Sequence, residues 1–172
     1  LPILLFAFLY TTGPYPLSYN GWGDILVIVF FGFVPVGGTY YVQALTWTTD
    51  ITIASLICGL LIDTLLVVNN YRDREADARS GKRTVIVRFG EKFGSYLYLM
   101  LGVAASLLCF WFLFEGHLYA ALLPLLYLIP HFLTWKRMVR IHSGKKLNSI
   151  LGETSRNMLL MGVLLSIGFF LN

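Results

Sequence analysis

Long apolar runs restrict this chain to one kind of fold. Five of them are long enough to cross a bilayer as a helix, which takes about 20 residues. Only 13% of the 172 residues are charged, about half the fraction usual for a soluble domain. The sequence therefore predicts an all-α, polytopic transmembrane helical bundle. The expected full spans are residues 24–44, 51–70, 94–114, 118–135 and 154–171.

The chain begins with an apolar segment, residues 1–10, that is too short to cross a membrane by itself. It lacks the basic start and the small-residue cleavage site of a signal peptide. We interpret it as the end of a sixth helix, and the chain as the C-terminal part of a longer protein. Residues 1–172 are expected to form a single membrane-embedded domain.

Basic residues indicate how the spans are oriented. All 13 Lys and Arg residues lie in two segments, 72–92 and 136–156. Cytoplasmic loops carry such an excess, and two spans separate these segments, so both are predicted to lie at the cytoplasmic face. This clustering also argues against nucleic-acid binding as the reason for the net charge of +4. We expect a multi-pass protein of the bacterial cytoplasmic (inner) membrane.

The most polar stretch begins where the second span is predicted to reach the cytoplasm. If the helix continues, Asn69, Asp73 and Asp77 lie on one face at intervals of four residues, with Asn70 nearby. Two carboxylates one turn apart, beside amide oxygens, suit Mg²⁺, which completes its shell with water and substrate phosphate. The pattern therefore predicts a Mg²⁺–diphosphate site at the cytoplasmic membrane face.

Basic side chains next to this stripe could bind phosphate oxygens that the metal does not reach. They are Arg72, Arg79, Lys82 and Arg83. The alternative interpretation is a charged helix end held by ion pairs between successive turns. The position at the end of a span, beside two asparagines, favours the site.

Two further polar residues fall inside predicted spans. Asp63 lies approximately on the face that carries Asn70 and Asp77, and an intramembrane carboxylate is a candidate functional group. It is a tentative residue of an acceptor cavity, with a structural role as the alternative. His131 is expected to hydrogen-bond to a neighbouring helix.

Two stretches carry a resemblance to a known family. Residues 69–84, NNYRDREADARSGKRT, resemble the second aspartate-rich motif of the UbiA superfamily of intramembrane prenyltransferases. The version is similar to that of the MenA-type branch, which prenylates 1,4-dihydroxy-2-naphthoate in menaquinone synthesis. Residues 10–17, YTTGPYPL, resemble the tyrosine-plus-Gly-Pro loop of that branch.

This resemblance implies a nine-span fold whose first aspartate-rich motif lies upstream, so that the 172 residues alone would be inactive. It implies Mg²⁺-dependent transfer of a polyprenyl group from isoprenyl diphosphate to 1,4-dihydroxy-2-naphthoate, giving demethylmenaquinone. Asp73 and Asp77 would hold the metal, and Tyr10 would lie near the reactive allylic carbon. The residues that would line the pocket or contact the diphosphate are Asn69, Asn70, Arg72, Lys82 and Arg83.

Other functions remain open on the sequence alone. Within the same fold the acceptor could be 4-hydroxybenzoate, homogentisate or a protohaem. A transporter segment could use Asp63 and the acidic stripe for cations, although no polar path continues to the outer side. A structural membrane subunit would leave Asp73 and Asp77 without a role.

Overall fold

The computed structural model describes residues 16–171, which form long helices joined by short links. No β-strand occurs in that range, which confirms the all-α prediction. The long helices are α1 (Gly23–Ala44), α2 (Thr49–Arg79), α3 (Val85–Phe114), α4 (Leu118–Ile141) and α5 (Asn148–Phe170). Short 3₁₀ helices, Leu17–Asn20 and Lys145–Leu147, precede α1 and α5. The predicted helix end at residues 1–10 lies outside the described residues.

Four of these helices, α1 to α4, are long and apolar enough to cross a membrane. The fifth predicted span, 154–171, overlaps α5 up to Phe170. Helix α5 is of similar length to the others but has Glu153, Arg156 and Asn157 in its first half. Within residues 16–171, length and composition therefore support four of the five predicted spans, and the fifth stays a prediction.

Helix α1 is irregular where its proline falls. Residues Ile28–Gly37 form a π-helical segment that contains Pro35. Proline has no N–H to donate and crowds the preceding turn, and a wider turn accommodates it. Nearby, Gly32 packs directly on Gly59 of α2, because a Cβ at Gly32 would lie 2.8 Å from the Gly59 Cα. Small residues let helix backbones approach closely in a bilayer, so this contact fixes α1 against α2.

His131 connects α4 to α3 in the middle of the bundle. Its side chain is fully buried and lies 3.2 Å from the Leu99 carbonyl oxygen through Nε2 and 2.9 Å from the Tyr127 hydroxyl through Nδ1. The ring stacks on Tyr98 at 4.7 Å between centroids. Gly102 makes room for the imidazole, since a Cβ there would overlap it. The predicted hydrogen bond to a neighbouring helix is confirmed.

Polar contacts show which links lie at the same end of the bundle. Arg72 near the end of α2 bonds Asn148 at the start of α5. At the other end, the Trp111 indole donates to Asp50 at the start of α2 over 2.8 Å. The link after α2 and the link before α5 therefore share one end, which agrees with the predicted placement of both basic segments on one side.

Candidate functional site

Helix α2 continues through the acidic stretch without a break. It runs to Arg79, so Asn69, Asp73 and Asp77 lie on one face as predicted. The helix stops because Gly81 takes a positive φ of 79°, a conformation that suits glycine. The Lys82 amide then bonds back to the Asp77 carbonyl oxygen at 3.0 Å. This turn brings the Lys82 side chain back towards the acidic stripe.

Arg72 organises the first half of the stripe. Its Nε and Nη2 donate to the two carboxylate oxygens of Asp73 over 2.7 and 2.6 Å. The same Nη2 donates to the Asn69 amide oxygen at 2.7 Å, and Nη1 donates to the Asn148 amide oxygen at 2.9 Å. The two-point contact is the strong form of this interaction, so Asp73 is held as a carboxylate facing a fixed cation.

Lys82 forms the second cation–carboxylate contact. Its ammonium nitrogen lies 3.0 Å from Oδ1 of Asp77, whose side chain is 10% exposed. The ammonium also lies 5.3 Å from the centre of the Tyr19 ring, within reach of a cation–π contact. The hydrogen bond to Asp77 raises the pKa of the Lys82 ammonium above its usual value. Lys82 is therefore a fixed positive charge beside the stripe.

A pocket of about 310 Å³ lies between the end of α2 and the segment before α1. The lining residues include three of the predicted site residues, Asn69, Asn70 and Lys82. Asp73, Asp77, Arg72 and Arg83 do not line it. The rest of the wall comprises Ser18, Tyr19, Gly21, Gly23, Asp24, Leu66 and Thr84.

The segment before α1 is tied to the link between α2 and α3. The Arg83 amide donates to the Tyr19 carbonyl oxygen at 2.7 Å, and Arg88 donates to the Asn20 carbonyl oxygen at 2.7 Å. Arg83 thus contributes its backbone here, and its side chain is exposed. Lys82 and Arg83 were both predicted to contact a diphosphate, but of these two only Lys82 lines the pocket.

A second polar cluster supports the end of α2 on its other side. Glu91 of α3 accepts from the Tyr71 hydroxyl at 2.8 Å and from Arg74 at 3.1 Å, and it lies 2.6 Å from Nδ1 of His142. These bonds join α2, α3 and the link before α5. They hold the helix end that carries the stripe in a fixed orientation.

Asp63 is buried within α2, with a side chain only 1% exposed. Its Oδ1 has no hydrogen-bond partner among the described residues. It precedes the pocket residues Leu66 and Asn70 by three and seven positions and so shares their helix face. Tyr10, which the resemblance places near the reactive allylic carbon, lies outside the described residues.

The donor set of the stripe is compatible with a divalent cation. Residues 16–171 contain no cluster of three or more His, Cys, Asp and Glu side chains that could hold a metal. Mg²⁺, however, commonly binds through one or two carboxylates plus substrate phosphate and water. Asp73 and Asp77 offer two carboxylates, each already facing a positive charge, and Asn69 offers an amide oxygen. A metal bound there would replace Arg72 and Lys82 as the partner of these carboxylates.

Sequence reasoning missed two residues at this site. Asn148 contacts Arg72 from 76 positions away, and no local pattern indicates such a pairing. Asp24 lines the pocket from the first turn of α1. Its only signal in the sequence is its place at the start of an apolar span.

Comparison with known proteins agrees with this arrangement of apolar helices and a polar helix end. The model of the UbiA prenyltransferase family matches residues 1–170 of the chain. The chain belongs to the UbiA prenyltransferase family.

Its relatives include enzymes that act on a naphthoate. The chain is 35% identical to the 1,4-dihydroxy-2-naphthoate octaprenyltransferase of Haemophilus influenzae, over 96% of this chain and 54% of that protein. It is 33% identical to the enzyme of the same name from Escherichia coli, over 98% of this chain and 55% of that protein. The chain thus spans about half the length of these relatives. No solved structure gives a significant match.

Proposed function

We propose that the protein containing this chain transfers a polyprenyl group from isoprenyl diphosphate to 1,4-dihydroxy-2-naphthoate, giving demethylmenaquinol, the reduced form of demethylmenaquinone. The observation that carries the proposal is the end of α2, where Asp73 and Asp77 lie one turn apart and each faces a cation beside a polar pocket. The names of the two relatives supply the acceptor. Mg²⁺ is the proposed cofactor.

The basic residues and the asparagines would bind the diphosphate. Lys82 lies on the pocket wall. Its ammonium group would bind a phosphate oxygen once Asp77, its present partner, binds the metal. Arg72 has enough N–H donors to keep its hydrogen bonds to Asn69 and Asn148 when Asp73 binds the metal instead. A divalent cation on the two carboxylates would neutralise charge on the departing diphosphate.

The chemistry of the transfer follows from the leaving group. Loss of diphosphate leaves an allylic carbocation, which the electron-rich ring attacks with loss of its carboxylate as CO₂. Tyr10 is proposed to lie near the allylic carbon. Asp63 is proposed to lie in the acceptor cavity. The site would open to the cytoplasm in a bacterial inner membrane, and the bilayer would hold the prenyl tail.

The test is a prenyl-transfer assay on the full-length protein with labelled isoprenyl diphosphate, 1,4-dihydroxy-2-naphthoate and Mg²⁺. We expect one diphosphate released for each prenylated naphthoate formed. Transfer only to 4-hydroxybenzoate or homogentisate would replace the acceptor. Cation transport with no diphosphate release would exclude the proposed enzyme.

Lys82 and Arg83 should differ in their effects on the diphosphate. Lys82→Gln should raise the apparent KM for isoprenyl diphosphate roughly tenfold, because a charge-assisted hydrogen bond is lost. Arg83→Gln should change it less than about threefold, because the Arg83 side chain is exposed and does not line the pocket. The KM for the naphthoate should stay constant in both variants. Equal effects of the two changes on this KM would contradict direct binding of the diphosphate by Lys82.

The orientation can be tested by cysteine labelling in intact cells. Cysteines introduced at the exposed positions Ser80 and Ser143 should react only after the membrane is permeabilised. One introduced at Glu115, exposed at the other end of the bundle, should react from outside. All labelling variants also carry Cys58→Ala and Cys109→Ala, so that only the introduced cysteine can react. Labelling of Ser80→Cys from outside would reverse the proposed orientation.

A further inference from the structure

Asp63 is an incomplete hydrogen-bonding group in the interior of the bundle. Its side chain is 1% exposed and its Oδ1 has no partner among residues 16–171. Leaving a buried polar oxygen without a donor is unfavourable, and a carboxyl group inside a span is costlier still. A ligand bound beside Asp63 would supply the missing donor.

A second carboxyl group lies close to Asp63. Asp24 is in the first turn of α1, in the part of that helix that packs on α2, and it lines the pocket. Ile28 of α1 packs on Gly59 of α2. Asp24 and Asp63 each lie one turn from that contact, towards the same end of this antiparallel helix pair. Asp63 shares a helix face with the pocket residues Leu66 and Asn70. Asp24 therefore lies in the pocket wall, and Asp63 lies just beyond the lining residues of α2, further into the membrane.

The pocket is thus polarised along α2. Lys82 lies at the end towards the acidic stripe, and Asp63 lies about 10 Å further into the membrane than Asn70, at 1.5 Å per residue. An anionic diphosphate is attracted to Lys82, whereas the carboxyl oxygens of Asp24 and Asp63 attract hydrogen-bond donors. A ligand group that donates hydrogen bonds to carboxyl oxygens has the opposite preference. The hydroxyl groups of an aromatic acceptor are such donors.

We propose that Asp24 and Asp63 bind a hydroxyl group of the aromatic acceptor. This inference rests on the proposed function and adds the residues that select the acceptor. The carboxyl oxygens accept the hydrogen bond, which orients the ring with its reacting carbon towards the diphosphate end. No covalent bond forms between the acceptor and either residue.

The experiment uses full-length Asp24→Asn and Asp63→Asn variants, which keep the shape of each side chain. The KM for 1,4-dihydroxy-2-naphthoate should rise roughly tenfold in both, and the KM for isoprenyl diphosphate should change less than about twofold. The inhibition constants of 1-hydroxy-2-naphthoate and 4-hydroxy-2-naphthoate, which each lack one hydroxyl, are measured against the acceptor. In the wild-type protein one of them should bind about tenfold more weakly than the other, and the Asp63→Asn variant should lose that difference.

Ser55→Ala is the matched control, because Ser55 is a buried α2 residue with an unpartnered hydroxyl, about two turns further from the pocket than Asp63. It should behave as the wild-type protein does. Wild-type acceptor binding in both Asn variants would overturn this inference and leave the proposed function standing. If Asp63→Asn does not fold, the result with Asp24→Asn decides. Absence of any prenyl transfer by the wild-type protein would overturn both.

Discussion

Asp73→Asn or Asp77→Asn in the full-length protein should lower the rate of prenyl transfer roughly a hundredfold or more. Each change removes one anionic metal ligand and leaves the shape of the side chain intact. It also removes the charge that holds Arg72 or Lys82 in place. The measurement is the rate of labelled prenyl transfer at saturating substrate and raised Mg²⁺.

Glu75→Gln is the matched control for this pair. Glu75 is a carboxylate on the same helix between the two aspartates, but its side chain is exposed and faces away from the stripe. Its replacement should leave the rate within about twofold of wild type. Membrane insertion should be unchanged in all three variants, and thermal stability should change by less than about 1 kcal/mol, because each replacement keeps the shape of the side chain. Wild-type turnover by Asp73→Asn or Asp77→Asn would contradict the assignment of the metal site.

His131→Ala should destabilise the bundle by roughly 3 kcal/mol without changing the KM for either substrate. The change removes a fully buried ring that stacks on Tyr98 and Tyr127. It also leaves the Tyr127 hydroxyl and the Leu99 carbonyl without their contacts to the imidazole. The measurement is the midpoint of thermal unfolding in detergent, followed by the activity of the protein that remains folded.

Leu133→Ala is the comparison for His131. Leu133 is on the same helix and is 56% exposed, so its truncation should cost less than about 1 kcal/mol. A wild-type midpoint in His131→Ala would show that the imidazole does not hold α3 and α4 together. A large change in the KM for the acceptor would instead place His131 in the substrate cavity.

Much of the helical arrangement could be predicted from hydropathy, because a helix that crosses a bilayer must be apolar over a fixed length. The stripe of Asn69, Asp73 and Asp77 could be predicted as well, because it depends only on the helix continuing to Arg79. The π-helical segment around Pro35 could not be predicted, since several kinds of distortion accommodate a proline within a span. The fifth predicted span stays a prediction, because α5 mixes polar and apolar residues in its first half.

The contacts that complete the candidate site depend on tertiary packing. Asn148 reaches Arg72 only because α5 begins beside the end of α2. Asp24 lies in the pocket wall beside α2 residues because Gly32 and Gly59 allow α1 and α2 to pack closely. Neither pairing has a periodic signal in the chain. The sequence therefore predicted the residues of the motif and not the partners that orient them.

Binding of a substrate analogue tests the central claim most directly. An isoprenyl thiolodiphosphate keeps the charge of the substrate and ionises poorly, so its binding to the full-length protein can be measured by calorimetry. The proposed site predicts tight binding with Mg²⁺, and binding at least about tenfold weaker without it or in the Asp73→Asn/Asp77→Asn double variant. The Glu75→Gln control should bind as the wild-type protein does. Equal affinity under all these conditions would contradict a metal–diphosphate site at the end of α2.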